Sequence, residues 1–409
     1  MTSAYAKPTS TEPASPDAAS PVPTSPAPSS DGPGTAWAIA GTGLVTSVGA
    51  DTGEVFEALC AARTGLGELR AFDTTRLRTR HAFEIGDRPG PDTPLLATEW
   101  LCRAVAEAAR DAGLTEDLSD VPVLVGTGLR ELRSVELAWL GRASFDLVDL
   151  HFGRALRERF GACDTHTFAG ACSASLYTLA LAADLLTADR ADTVVVAAAD
   201  TITASMYGLL DRVQTATPRA VRPFDRDRQG QLLGDGAAAL VLRRNGPGHA
   251  VLRSVGLHCD ARHVTAPDVE GIVTTLRQAH ERAGIGPDDV NLVCAQGTGT
   301  LVNDAAEAEA LARVFAPCGD DGGPLVTAVE AMTGHTSGCS GLLGTVIAVE
   351  SLRTGRVPPT VGLRDPIGPA SVLRFTTEGP LVAPELTTAQ VNAFGFGGLN
   401  AAAIVGKAA

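Results

Sequence analysis

The chain has 409 residues, a formal charge of −14 and 44% hydrophobic residues. That length exceeds one ordinary core and predicts two domains or one large duplicated unit. The acidic balance argues against a nucleic-acid surface, and no window approaches the roughly 18 apolar residues of a membrane span.

Residues 1–35 are Pro, Ser, Thr, Ala and Gly with almost no large apolar side chains, which predicts a disordered tail with no secretory h-region. Order is expected to begin with a strand at Trp37-Ala-Ile-Ala-Gly-Thr-Gly-Leu-Val. Helices are predicted over 55–63 and 98–112, and buried strands over 121–128, 193–199 and 237–242. After Asn245-Gly the rhythm restarts. Strands are predicted over 249–256, 290–295 and 324–329, with helices over 269–283, 304–315 and 342–352. Strands alternating with helices in two runs imply parallel sheets covered on both faces.

Chemistry-bearing residues are few. Lysine occurs only at Lys7 and Lys407, both expected outside the folded body, so Schiff-base and lysine-dependent phosphate-loop chemistry are excluded. Eight cysteines without a Cys-x-x-Cys pair predict reduced thiols in a cytoplasmic protein, and neither they nor the eight scattered histidines suggest a metal site. Cys172 stands out, in Gly170-Ala-Cys-Ser-Ala-Ser at the opening of a long apolar helical pattern. A helix N-terminus stabilises a thiolate, which can take an acyl group from a thioester; the alternative is a small buried hydrophobe. Four glycine-rich spots accompany it. Gly41-Thr-Gly-Leu-Val-Thr-Ser-Val-Gly lacks the third glycine of a dinucleotide fingerprint, and Gly297-Thr-Gly-Thr lacks the lysine of a phosphate loop. Gly334-His-Thr-Ser-Gly-Cys-Ser-Gly and Gly395-Phe-Gly-Gly-Leu-Asn complete the set.

With Arg222-Pro-Phe-Asp-Arg-Asp-Arg-Gln-Gly, Gly234-Asp-Gly-Ala-Ala, Ala295-Gln-Gly-Thr-Gly-Thr, Met332-Thr-Gly-His and Asn392-Ala-Phe-Gly-Phe-Gly-Gly-Leu-Asn, the chain resembles the β-ketoacyl synthases of the thiolase superfamily. The likeness is to the elongating condensing enzymes of the fatty-acid and type II polyketide kind, over about residues 37–406. It implies an α/β thiolase fold: two similar halves, each a mostly parallel sheet covered by helices, in five layers αβαβα. The halves are expected at 36–246, with Cys172, and 247–409, with Gln296, His335 and the Phe396 loop.

The resemblance also implies roles. Cys172 would be the nucleophile, the N–H groups of Cys172 and Phe396 an oxyanion hole, and Phe396 a gate beside the acyl pocket. Thr298 and Thr300 would hold a phosphopantetheine arm, or cap their turn. Asp225, Arg228 and Asp235 are expected to form a buried ion pair that holds a loop. Asp304 would tie down the Gln296 loop or begin the next helix, while Cys163 and His166 carry no role. No cofactor is implied beyond the pantetheine of an acyl carrier protein or coenzyme A. The implied assembly is a dimer, either of two copies or with another ketosynthase-like subunit.

Three positions depart from the family pattern. Gln296 stands where the family has its first histidine, Glu330 where it has a lysine, and Gly344 where it commonly has a glutamate. Gln296 can donate a hydrogen bond but cannot move a proton, which weakens decarboxylative condensation. Glu330 would raise the proton affinity of His335 and favour general-base chemistry. The expected activity is acyl loading onto Cys172 and transfer to a carbon, oxygen or nitrogen acceptor in specialised metabolism. A non-catalytic, chain-length-factor-like partner subunit is the alternative, and a thioesterase-like activity the third reading.

Overall fold

Successive residues of the central strands are buried on opposite faces: Val194 and Val196 enter one core, Val195 and Ala197 another. Strands buried on both sides need a helical layer on each face, and that requirement shapes the whole molecule. The computed structural model describes residues 36–318, 323–377 and 379–408. The tail expected over 1–35 lies outside the described residues.

The first half contributes β1 (Trp37–Thr46), β2 (Val123–Thr127), β3 (Thr165–Ala169), β4 (Thr193–Asp200) and β5 (Gly236–Arg243). The second contributes β6 (Ala250–Cys259), β7 (Leu292–Cys294), β8 (Leu325–Thr327), β9 (Thr388–Gly395) and β10 (Leu399–Lys407). Their spatial orders are β3-β2-β4-β5-β1 and β8-β7-β9-β10-β6, the same permutation twice. In each set the first three strands are parallel and the last two pairings antiparallel. Antiparallel pairing of Trp37–Ile39 of β1 with residues 250–252 of β6 joins the sets, and the two-residue strand Arg374–Phe375 lengthens the edge at β8.

Between the sheets lie two apolar helices, α2 (Ala174–Thr187) and α5 (Ser340–Thr354), while α1 (Leu96–Asp111), α3 (Val269–Ala283) and α4 (Asn303–Phe315) cover the outer faces. The middle core joins Leu176 and Leu179 of α2 to Val346 and Ile347 of α5 and to the inner faces of both sheets. Trp100 and Val105 cover the first sheet from outside; Leu276 and Leu311 cover the second. The layers run αβαβα, as the thiolase fold requires. Each fully buried aliphatic side chain here contributes about 1.5–3 kcal/mol by leaving water.

Several expectations need correction. The edge strand β3 and the last strand β10 are absent from the predicted set. Lys407, expected outside the folded body, is the exposed last residue of β10. Among the described residues no helix is long and apolar enough to cross a membrane.

Candidate functional site

The chain leaves β3, passes Gly170, and enters a tight 3-10 turn at Ala171–Ser173 before α2 begins at Ala174. Ala171 sits in the left-handed region at φ 49°, an uncommon position for a residue with a side chain. The turn holds Cys172 just ahead of the first residue of α2, where the helix dipole favours negative charge. The end of β9 lies against it: a Cβ on Gly395 would stand 3.3 Å from the Cys172 nitrogen. Phe396 follows, 44% exposed, in a turn tied down where Gly397 N–H donates to the Val264 carbonyl at 2.7 Å.

His335 arrives from the other half. Its Nε2 is 2.9 Å from Cys172 Sγ, and its Nδ1 is 2.8 Å from Glu330 Oε1. The Ser340 hydroxyl stands 3.3 Å from that same Nδ1. His335 and Glu330 are 3% and 5% exposed, so the contacts are shielded from water. Burial alone would lower the His335 pKa, but the charges of Glu330 and Cys172 outweigh it and hold the imidazole well above its usual range. Thiol, imidazole and carboxylate thus form one continuous hydrogen-bonded relay.

The first half anchors this histidine. His335 N–H donates to the Leu232 carbonyl at 2.8 Å, and Gly234 N–H donates to the His335 carbonyl at 3.0 Å. A Cβ on Gly234 would come within 2.1 Å of the Thr333 carbonyl oxygen, so only glycine permits this approach. That explains part of the Gly234-Asp-Gly motif. The rest differs from expectation. Asp235 makes its buried ion pair with Arg88, at 2.7 Å, and not with Arg228. Arg228 donates to the carbonyls of Asp225, Thr300 and Leu301, while Asp225 accepts from the N–H groups of Asp227, Arg364 and Asp365.

Gln296, 4% exposed, follows β7. Its Nε2 donates to the Phe394 carbonyl and its Oε1 accepts from Phe394 N–H, both at 3.0 Å. The amide therefore pairs with β9 as a strand residue would. Its backbone and that of Gly297 donate to Glu307, at 2.9 Å each, and Asn392 Nδ2 donates to the same carboxylate at 3.0 Å. Asp304 both opens the first turn of α4 and ties the loop, accepting from Phe224 N–H at 2.7 Å and Gly299 N–H at 3.1 Å. Burial pushes its pKa up to about 7. Thr298 and Thr300 bond to each other at 3.0 Å, and Thr300 Oγ1 accepts from Asn303 N–H at 3.2 Å, the turn-capping arrangement.

Gly344 lies on α5 where a Cβ would meet Val391 at 2.9 Å, so the helix approaches β9 too closely for a larger residue. The cavity beside it, about 20 Å³ and bordered by Glu330, Gln296 and Asn392, has room for one water molecule and none for an acyl chain.

Sequence reasoning missed Glu307 and Asp200. Both left a signal: an acid on the buried face of α4, and an acid closing the apolar strand β4. Asp200 accepts from the N–H groups of Gly128, Leu129 and Gly338 and from the Thr127 hydroxyl. Cys163 and His166 are exposed, and His166 meets Asp164 and the ring of Phe168.

Comparison with known proteins points to one family. Residues 163–246 match the family model "Beta-ketoacyl synthase, N-terminal domain", and residues 249–364 match "Beta-ketoacyl synthase, C-terminal domain". The 3-oxoacyl-[acyl-carrier-protein] synthase 2 of Coxiella burnetii is 27% identical over 90% of this chain and 98% of its own. Nodulation protein E of Rhizobium meliloti is 28% identical over 89% of this chain and 97% of its own. Among solved structures, the ishigamide ketosynthase/chain length factor superposes with a TM-score of 0.82 at 28% identity, covering 92% of this chain and 100% of that one. Motifs, repeated sheet order and these likenesses converge: the chain belongs to the β-ketoacyl synthase family.

Proposed function

We propose that this protein is a ketosynthase-like acyltransferase that carries an acyl chain on Cys172. The observation that supports this most is the 2.9 Å contact between Cys172 Sγ and His335 Nε2. His335 takes the thiol proton, Sγ attacks the thioester carbonyl, and the carrier thiol leaves with a proton. The N–H groups of Cys172 and Phe396 stabilise the oxyanion, worth about a hundredfold to a thousandfold in rate per donor. Thr298 and Thr300 line the path of the pantetheine arm, and Gln296, Glu330 and Gly344 set the character of the second half-reaction. The names of the relatives suggest an acyl carrier protein as donor and a second ketosynthase-like subunit as dimer partner.

The chain-length-factor reading is the alternative, favoured by the composite nature of the ishigamide relative. Intact-protein mass spectrometry decides between them. After mixing with an octanoyl-pantetheine thioester, the wild type should gain one octanoyl group and Cys172→Ala none. No gain in either, including with a loaded carrier protein, would leave the partner subunit as the answer.

A further inference from the structure

Three acids are buried near the relay: Glu330, Glu307 and Asp304, exposed by 5% or less. Glu307 and Asp304 have both oxygens engaged by backbone or side-chain donors. Glu330 is different. One oxygen meets His335, the Ser340 hydroxyl also acts on the carboxyl, and among the described residues its ion pair with His335 is the only one it makes. Nearby, the Gln296 amide that could donate to a developing enolate is bonded at both ends to Phe394.

We infer that the acyl group on Cys172 is transferred to an N–H or O–H nucleophile, a primary amine or a hydroxyl, deprotonated by His335, with Glu330 as its positioning residue. This rests on Cys172 being the acyl carrier. A carbanion acceptor made by decarboxylation needs two things that this site opposes. Its carboxylate would have to approach the buried Glu330 carboxyl that pairs with His335, and its enolate oxygen would have to find N–H donors where one imidazole faces sulfur and the amide keeps a single N–H not given to Phe394. An amine or hydroxyl needs only a base beside the thioester. Once the thiol proton has left with the carrier thiol, Glu330 fixes the remaining proton on Nδ1, which leaves Nε2 to accept one.

The step balances without a cofactor. The nucleophile X–H attacks the acyl carbon, the C–X bond forms and the C–S bond breaks. The proton passes from X to His335 Nε2 and on to Sγ, which restores the thiol. Cys172 and Glu330 are the titratable groups that face His335, and Asp304 and Glu307 act on Glu330 through space.

The test is a chase. Enzyme is loaded to completion with octanoyl-pantetheine, freed of excess, and mixed with ethanolamine, with malonyl-pantetheine, or with buffer alone. Ethanolamine should clear the acyl-enzyme at least tenfold faster than buffer, and malonyl-pantetheine should release no carbon dioxide. The product, amide or ester, tells amine from hydroxyl. Glu330→Gln should slow the ethanolamine chase about 10- to 100-fold and move its pH profile acidward, and Glu330→Asp should restore part of the rate. Clearance by malonyl-pantetheine with carbon dioxide release, at a rate above the ethanolamine rate, would overturn the acceptor assignment. So would buffer clearance as fast as ethanolamine. An unchanged rate and profile in Glu330→Gln would overturn the role of Glu330. Should that variant not fold, the wild-type arms still decide the acceptor. Loading is measured before the chase, so failure to load counts against the acyl-carrier reading and is distinguishable from failure to transfer.

Discussion

Two turns of this molecule occupy equivalent places and differ in purpose. Ala171–Ser173 opens α2 in the first half, and Ser337–Cys339 opens α5 in the second. Each follows the third strand of its half, and each begins with a left-handed residue, Ala171 at φ 49° and Ser337 at φ 52°. The residue after it is Cys172 in one turn and Gly338 in the other. Gly338 is held by Asp200, which accepts its N–H at 2.7 Å, and a Cβ there would come within 2.3 Å of the Gly128 nitrogen. Cys339, one residue on, is wholly buried, and burial drives its thiol well above the usual range. Cys172 is partly exposed and meets an imidazole. A duplicated scaffold thus supplies two helix N-termini, and the nucleophile proposed for this protein is one side chain with one partner at the first. The second turn serves as the clamp that presents His335.

The comparison can be broken most severely at the thiols. Cys172→Ala should abolish acyl loading by mass spectrometry, whereas Cys339→Ala should leave the loading rate within about twofold, because a buried, strongly basic thiol attacks nothing. His335→Ala should slow loading about 10²- to 10⁴-fold in stopped-flow release of the carrier thiol, the usual contribution of a general base.

Asp200 sharpens the contrast, since among the described residues only the second turn is fastened by an acid. Desolvation lifts its pKa from 3.8 to about 6 against four hydrogen bonds that pull the other way. Because the folded value exceeds the unfolded one, this carboxyl favours the fold fully below about pH 4 and loses that contribution as pH rises through 6. The stability gap between wild type and Asp200→Asn, read from denaturant unfolding, should therefore move against the wild type by about 2 kcal/mol from pH 4 to pH 7.

Smaller effects probe the rest of the site. Gly344→Ala must push Val391 aside and should cost about 1–3 kcal/mol in thermal or denaturant stability. Gln296→Ala removes two buried hydrogen bonds to Phe394 and should cost about 1–3 kcal/mol of stability, while octanoyl loading on Cys172 changes by less than about threefold.

Most of the framework was legible before any coordinates. Apolar runs such as 193–199 and the clean amphipathic period of 269–283 fix strands and helices because burial leaves them little choice. The edge strand β3 escaped notice because Thr165-His-Thr-Phe-Ala is only half buried and carries no apolar run. The Cys172, His335 and Glu330 positions came from motifs, and their assembly into a relay depends on a crossing between halves that no local pattern encodes. Gln296 was expected to offer a donor to the site; its amide is instead absorbed by β9, a long-range pairing invisible at the level of sequence. The misassigned partner of Asp235 has the same origin, since Arg88 lies 147 residues away.

The most direct measurement is the ¹⁵N chemical shift of the His335 ring as pH is raised, in wild type and in Glu330→Gln. The relay predicts that the wild-type imidazole stays protonated well above pH 6.5 and that the variant loses its proton at lower pH. A neutral wild-type ring at pH 6.5, unmoved by the substitution, would contradict the relay.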